Sequence, residues 1–146
     1  MYTAVRLFDK EREAFLDALA LPEDKDGWET LCHHVTVNMG SHESGPMADI
    51  PLNTDIAFEI IDFGILTDDD DEPIVYAFGV KAVEDTLNRR CDERFKTVNR
   101  VAHITMAVNR DRGAKPAMSN DITDRYELDP EFEGYVVRGR LCEIGA

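Results

Sequence analysis

The segments His34-Val35-Thr36-Val37-Asn38-Met39 and His103-Ile104-Thr105-Met106-Ala107-Val108 repeat one pattern about half a chain apart in a sequence of 146 residues. In an extended strand every second side chain points to the same face. His103 and Thr105 then share a face, and Ala102, Ile104, Met106 and Val108 form an apolar opposite face that must be buried. By the same alternation Cys32, His34, Thr36 and Asn38 share a face against Val35, Val37 and Met39. His34, not the adjacent His33, stands beside the Thr36 hydroxyl. A repeat at this spacing implies a two-lobed fold with pseudo-symmetric halves.

The rest of the chain reads as one antiparallel α+β domain over residues 1–146, with more strand than helix. Tyr2–Phe8 alternates and opens the chain as a strand. Asp9 reads as an N-cap for a helix over Lys10–Leu21, ended by Pro22. Pro22–Trp28 is a polar loop and Cys32–Met39 a second strand. Asp55–Leu66 and Ile74–Ala82 are strongly apolar strands, joined through Thr67–Pro73 with its four aspartates. That turn lacks the Gly and Glu of an EF-hand loop and reads as solvated. Glu84–Lys96 is weakly helical and carries Arg89, Arg90, Arg94 and Lys96. Val98–Val108 is a strand, Asn109–Tyr126 a long polar loop that is either a lid or disordered, and Gly134–Ile144 the closing strand.

Composition removes several function classes. The hydrophobic content of 43% with 32% charged residues describes a globular protein. No apolar run spans a bilayer and the N-terminus lacks a signal-peptide pattern, so no membrane partner is expected and the cytoplasm is the expected compartment. The net charge of −14 works against long nucleic acid, whose binding draws on Lys and Arg contacts to phosphates. A phosphorylated ligand should therefore be small and held by a local cluster of donors. Three scattered cysteines, Cys32, Cys91 and Cys142, form neither a disulfide framework nor a zinc ribbon. Cys32, His34 and His42 make a poor metal set, because zinc wants four ligands and the adjacent Cys32, His33 and His34 alternate faces and cannot converge. A Cys32 nucleophile would lack an orienting third group. No phosphate-binding glycine loop is present, and neither a metal nor another cofactor is expected.

What remains is acid–base chemistry. Histidine serves as general base or general acid near neutral pH. A neighbouring Thr hydroxyl can donate to a phosphoryl oxygen as charge builds in the transition state. Two such pairs facing one cleft supply a base on one side of a phosphorus, an acid on the other, and donors for the non-bridging oxygens.

His34-Val-Thr-Val-Asn-Met-Gly40 resembles the H-h-T-h-x-h-G signature of the two-histidine (2H) phosphoesterases, and His103-Ile-Thr-Met resembles its second copy. Within that superfamily the short chain and motif spacing are similar to the phage anti-CBASS nucleases, which degrade cyclic oligonucleotide signals such as cGAMP. The resemblance implies a bilobal fold, antiparallel strands with pseudo-two-fold halves around a central cleft, and metal-free phosphodiester cleavage. It implies His34 and His103 as the acid–base pair, Thr36 and Thr105 as phosphate holders, and a cyclic di- or oligonucleotide as substrate. For a phage protein the compartment is the host cytoplasm. No Arg or Lys follows either motif closely, so cationic help must come from elsewhere.

Other readings stay open. A 2′,3′-cyclic phosphate at an RNA end or in a small metabolite is a second substrate class, and a nucleotide-sequestering protein without turnover is a third reading. On the first strand Tyr2 could stack on a base and Arg6 could reach a phosphate, or Tyr2 could pack in the core. Trp28 is equally ambiguous.

Overall fold

The computed structural model describes residues 1–19, 26–85 and 95–145. Eight strands and one α-helix are seen: β1 (Tyr2–Leu7), α1 (Asp9–Ala18), β2 (Trp28–Thr30), β3 (His34–Asn38), β4 (Asp55–Thr67), β5 (Pro73–Asp85), β6 (His103–Asn109), β7 (Asp124–Tyr126) and β8 (Val136–Ile144). All pairings are antiparallel. The order β6-β3-β1-β8-β4-β5 closes on itself because β5 also pairs β6, giving a six-stranded barrel. Closure leaves none of these six strands with a wholly open edge. The short strands β2 and β7 extend it beside β6 and β4.

One apolar cluster takes side chains from all six strands. It includes Val5, Val35, Val37, Ile56, Phe58, Ile60, Phe78, Ile104, Met106, Val137 and Leu141. The face of the sheet that carries them is called the core face below. Phe15, the one buried residue of α1, docks the helix there against Phe78 and Tyr135, with ring centroids 5.3 and 5.1 Å away. A second, smaller cluster of Ile74, Val75, Ala77, Val108, Ala114 and Ile122 lies on the opposite face of β5 and β6.

Several boundaries differ from the sequence reading, each for a local reason. The helix begins at Asp9 with Phe8 as its cap residue and ends at Ala18, and the remaining expected helical positions reach past the described residues. The second strand starts at His34, not Cys32. Cys32 has a positive φ of 61°, a left-handed conformation that breaks the strand between β2 and β3. Across this kink the register against β6 changes from Thr30↔Ala107 to Val35↔Ile104. Cys32 consequently joins the core cluster and does not share the face of His34. A bulge in β6 has a related effect. The β5 register shifts between Tyr76↔Ala107 and Ala77↔Thr105, so Met106 stays in the core while Val108 turns to the opposite face.

Glu84 and Asp85 belong to β5, not to a helix, and Arg89, Arg90 and Arg94 lie outside the described residues. Val98–Ala102 precedes the strand β6 and braces β3, with Thr97 Oγ1 donating to the Thr36 carbonyl and Val98 N to that of Val37. The stretch Asn109–Tyr126 is structured: two 3₁₀ turns, Arg110–Arg112 and Pro116–Asp121, lead into β7. Among the described residues no helix is long and apolar enough to cross a membrane.

Candidate active site

The two His-x-Thr segments are neighbours in the barrel. Val35 pairs with Ile104, both on the core face. Antiparallel register therefore sets His34 opposite Thr105 and Thr36 opposite His103 on the other face. The rows continue sideways. One runs Asp62, Gly79, His103, Thr36, Ala4 and the other Gly64, Ala77, Thr105, His34, Arg6. Two histidines and two threonines thus stand together, bordered by Gly79, Ala77 and Ala4 and by Arg6.

The other strands and the 3₁₀ segment supply the surroundings. The Tyr2 ring reaches over Ala4 to lie 5.2 Å from the His34 ring at 50°. Arg6 pairs directly with His34 in register and is exposed. On the far side, Thr105 Oγ1 is 2.8 Å from Ser119 Oγ, a residue only 2% exposed. His103 Nδ1 lies 2.8 Å from the Val101 carbonyl. That contact calls for a proton on Nδ1 and leaves Nε2 with its lone pair in the neutral ring. Arg100, Val101, His103, Ser119, Asn120 and Arg125 border one small recess.

Electrostatics favour neutral rings in the free protein. Burial pushes His34 down to about 4, with His33, His103 and Arg6 adding to the effect. Burial also lowers His103, aided by Arg125 and opposed by the hydrogen bond to Val101. An acid–base pair needs one ring protonated and the other not, and that singly protonated form peaks between the two pKa values. Below the lower value both rings are charged; above the higher, both are neutral. Because both lie under the usual 6.5, kcat/KM for a phosphodiester should have both limbs below pH 6.5. A bound phosphate anion stabilises imidazolium, so the kcat optimum should fall at higher pH. Rate profiles from pH 4 to 9 check this, and kcat/KM limbs above 6.5 would contradict the burial of the pair.

The four residues His34, Thr36, His103 and Thr105 stand on one face. Tyr2 and Arg6 flank them. His33 is exposed beyond the Cys32 kink; the partial burial that remains, and then Arg12 and Arg6, lower its pKa. Trp28 sits elsewhere: it pairs with Asn109 at the far end of β6 and stacks on Tyr76 at 5.1 Å, on the core side. Ser119 and Arg125 were not foreseen. They come from a polar stretch without periodicity, and the only hint was a glycine inside each of two apolar strands, where another group must approach closely. Among the described residues no group of three or more His, Cys, Asp or Glu side chains could hold a metal ion.

The model of the fungal tRNA ligase phosphodiesterase domain matches residues 17–136, which include both His-x-Thr segments. The chain belongs to that family. This tRNA ligase phosphodiesterase-domain family is part of the 2H phosphoesterase superfamily, so the superfamily resemblance seen in the sequence is established and the chain is a phosphodiesterase. The match does not extend to the narrower likeness to phage anti-CBASS nucleases. No curated protein and no solved structure matches the chain.

Proposed function

We propose that this chain opens a 2′,3′-cyclic phosphate at an RNA end, without a metal, using His34 and His103 as the acid–base pair. The observation that carries the reading is the Val35–Ile104 pairing, which brings both His-x-Thr segments to one face. Membership of a family named for a tRNA ligase phosphodiesterase supports the RNA-end substrate. One histidine takes a proton from water as the water oxygen bonds to phosphorus. The bond from phosphorus to one ribose oxygen breaks, and the other histidine protonates that oxygen. One water is consumed and a phosphomonoester is left. Thr36 and Thr105 donate to the non-bridging oxygens, where such donors act on developing charge. Buried Ser119 has its hydroxyl against Thr105 Oγ1; donating there, it leaves the Thr105 proton free for the phosphate. Tyr2 offers a ring face to a base and Arg6 a charge to a phosphate. The antiparallel pairing of the two segments is itself a local two-fold, which supports reading the chain as two pseudo-symmetric halves around the site.

A second reading draws on the charge of −14, which opposes long RNA. In it the substrate is a cyclic di- or oligonucleotide with a ribose 3′–5′ link, such as the immune signals degraded by anti-CBASS nucleases. The 2′-OH attacks first, an intramolecular step favoured by high effective molarity. The resulting 2′,3′-cyclic phosphate is then opened by water.

The two are separated by incubating the protein in excess EDTA with three substrates: a short RNA ending in a 2′,3′-cyclic phosphate, a cyclic diribonucleotide, and its 2′-deoxy analogue. Products are resolved by mass. The expected result is opening of the RNA end. Cleavage of the cyclic diribonucleotide alone, with the deoxy analogue resistant, would favour the second reading. Binding of nucleotide with every substrate recovered intact would point to sequestration.

A further inference from the structure

Neither His-x-Thr segment carries an arginine or lysine, and Arg125 lines the recess beside His103. Its strand β7 lies beside β4, with Gly64 opposite Arg125. Asp62 of β4 pairs with Gly79 of β5, and Gly79 pairs in turn with His103 of β6. Asp62, Gly79 and His103 therefore form one row across three strands, and the middle position has no side chain. A Cβ on Gly79 would strike the Asp62 carboxylate and stand 3.2 Å from Arg125 Nη1. A Cβ on Gly64 would strike Ile122 Cγ2, while standing at an ordinary contact distance of 3.5 Å from the same nitrogen. The missing side chain at Gly79 thus clears a notch through which the guanidinium extends from β7 toward His103.

Asp62 fixes the guanidinium there. Arg125 Nη1 donates to Asp62 Oδ1 at 3.0 Å, and the two side chains are 21% and 29% exposed. A guanidinium carries five N–H donors in a fork suited to phosphate oxygens, and this bond uses one of them. The ion pair is not needed to attach β7. Backbone pairing over Phe63–Ile65 and the stacking of Phe63 on Tyr126 at 5.3 Å already do that. Partly buried ion pairs are in any case weak sources of stability. Arg125 shares its small recess with His103 and Ser119, whose hydroxyl meets Thr105.

We propose that Arg125, anchored by Asp62 in the notch at Gly79, binds the phosphate of the substrate on the His103 side. The inference rests on the phosphodiesterase reading above and adds a binding residue to it. Asp62 is a positioning residue that holds the guanidinium in place. With Arg6 on the His34 side, the phosphate is flanked by a cation on each side.

The test compares wild type, Arg125→Ala, Arg125→Lys, Asp62→Asn and Arg112→Ala. Arg112 pairs with Asp68 on the surface and serves as a control for losing a cation from an acidic protein. The measurements are kcat and KM on adenosine 2′,3′-cyclic phosphate and competitive inhibition by inorganic phosphate. Arg125→Ala should lower kcat/KM about 10²-fold, the scale for removing one preorganised donor from a developing charge, and weaken phosphate inhibition about tenfold or more. Arg125→Lys should recover part of both, Asp62→Asn should fall between, and Arg112→Ala should match wild type. Wild-type kcat/KM and phosphate inhibition in Arg125→Ala would overturn the inference. If that variant does not fold, unchanged values in both Arg125→Lys and Asp62→Asn overturn it equally. A wild type that leaves the cyclic phosphate intact, yet gains thermal stability from inorganic phosphate that Arg125→Ala does not gain, refutes the cyclic-phosphate reading and supports the anion site.

Discussion

Alanine in place of His34 or His103 should lower turnover of a cyclic phosphate about 10²–10⁴-fold each, the usual worth of a general acid or base. The pair stands together because β3 and β6 are neighbours, so on the proposed mechanism each substitution removes one end of the same proton relay. The combined variant should lose much less than the product of the two single effects, since residues acting as a unit are non-additive. His33→Ala is the matched control. It alters an adjacent imidazole on the far side of the Cys32 kink and should change turnover only slightly. Single-turnover rates on purified variants of equal thermal stability decide the matter. A lethal His33→Ala beside a mild His34→Ala would reverse the assignment of faces.

Phe15→Ala should have an effect of similar size on a different quantity. Phe15 is fully buried and is the only such residue of α1, packed between Phe78 and Tyr135. Truncating a buried Phe typically costs about 3–5 kcal/mol, part from lost transfer energy and part from the cavity left behind. The measurement is the urea midpoint, with an unchanged slope if only stability is altered. The ring lies against the core face of the sheet, and the histidines stand on the other. The folded fraction should therefore keep kcat near that of wild type in the cold. Loss of kcat in proportion to stability would mean that the helix and the polar face are coupled.

The contrast between these two predictions follows what could be read in the sequence. The sorting of His34 and Thr36 from Val35 and Val37 needed only strand alternation, and the structure agrees. So did the apolar β4–β5 hairpin. Alternation failed where the backbone departs from a regular strand. Cys32, with its left-handed backbone, joins the core, and Val108, beyond the β6 bulge, changes face. Neither bend has a glycine or proline to announce it. Which strands meet was also hidden, because pairing of β6 with both β3 and β5 depends on the whole ring closing. Ser119 and Arg125 were illegible for the same reason: a polar segment gives no period, and its position is set by what it packs against.

The join between β3 and β6 has a consequence beyond catalysis. Ladder pairing between them rests on the single position Val35–Ile104, whereas β1–β8 pairs from Tyr2 to Leu7 and β4–β5 along nearly their full length. It is the thinnest seam of the barrel, and the two His-x-Thr segments lie on either side of it. A phosphate gripped by Thr36 and Thr105, as proposed above, would act there as a clasp. Part of its binding energy would go into holding the seam shut, so the ligand would steady the barrel at the place where its own backbone holds it least.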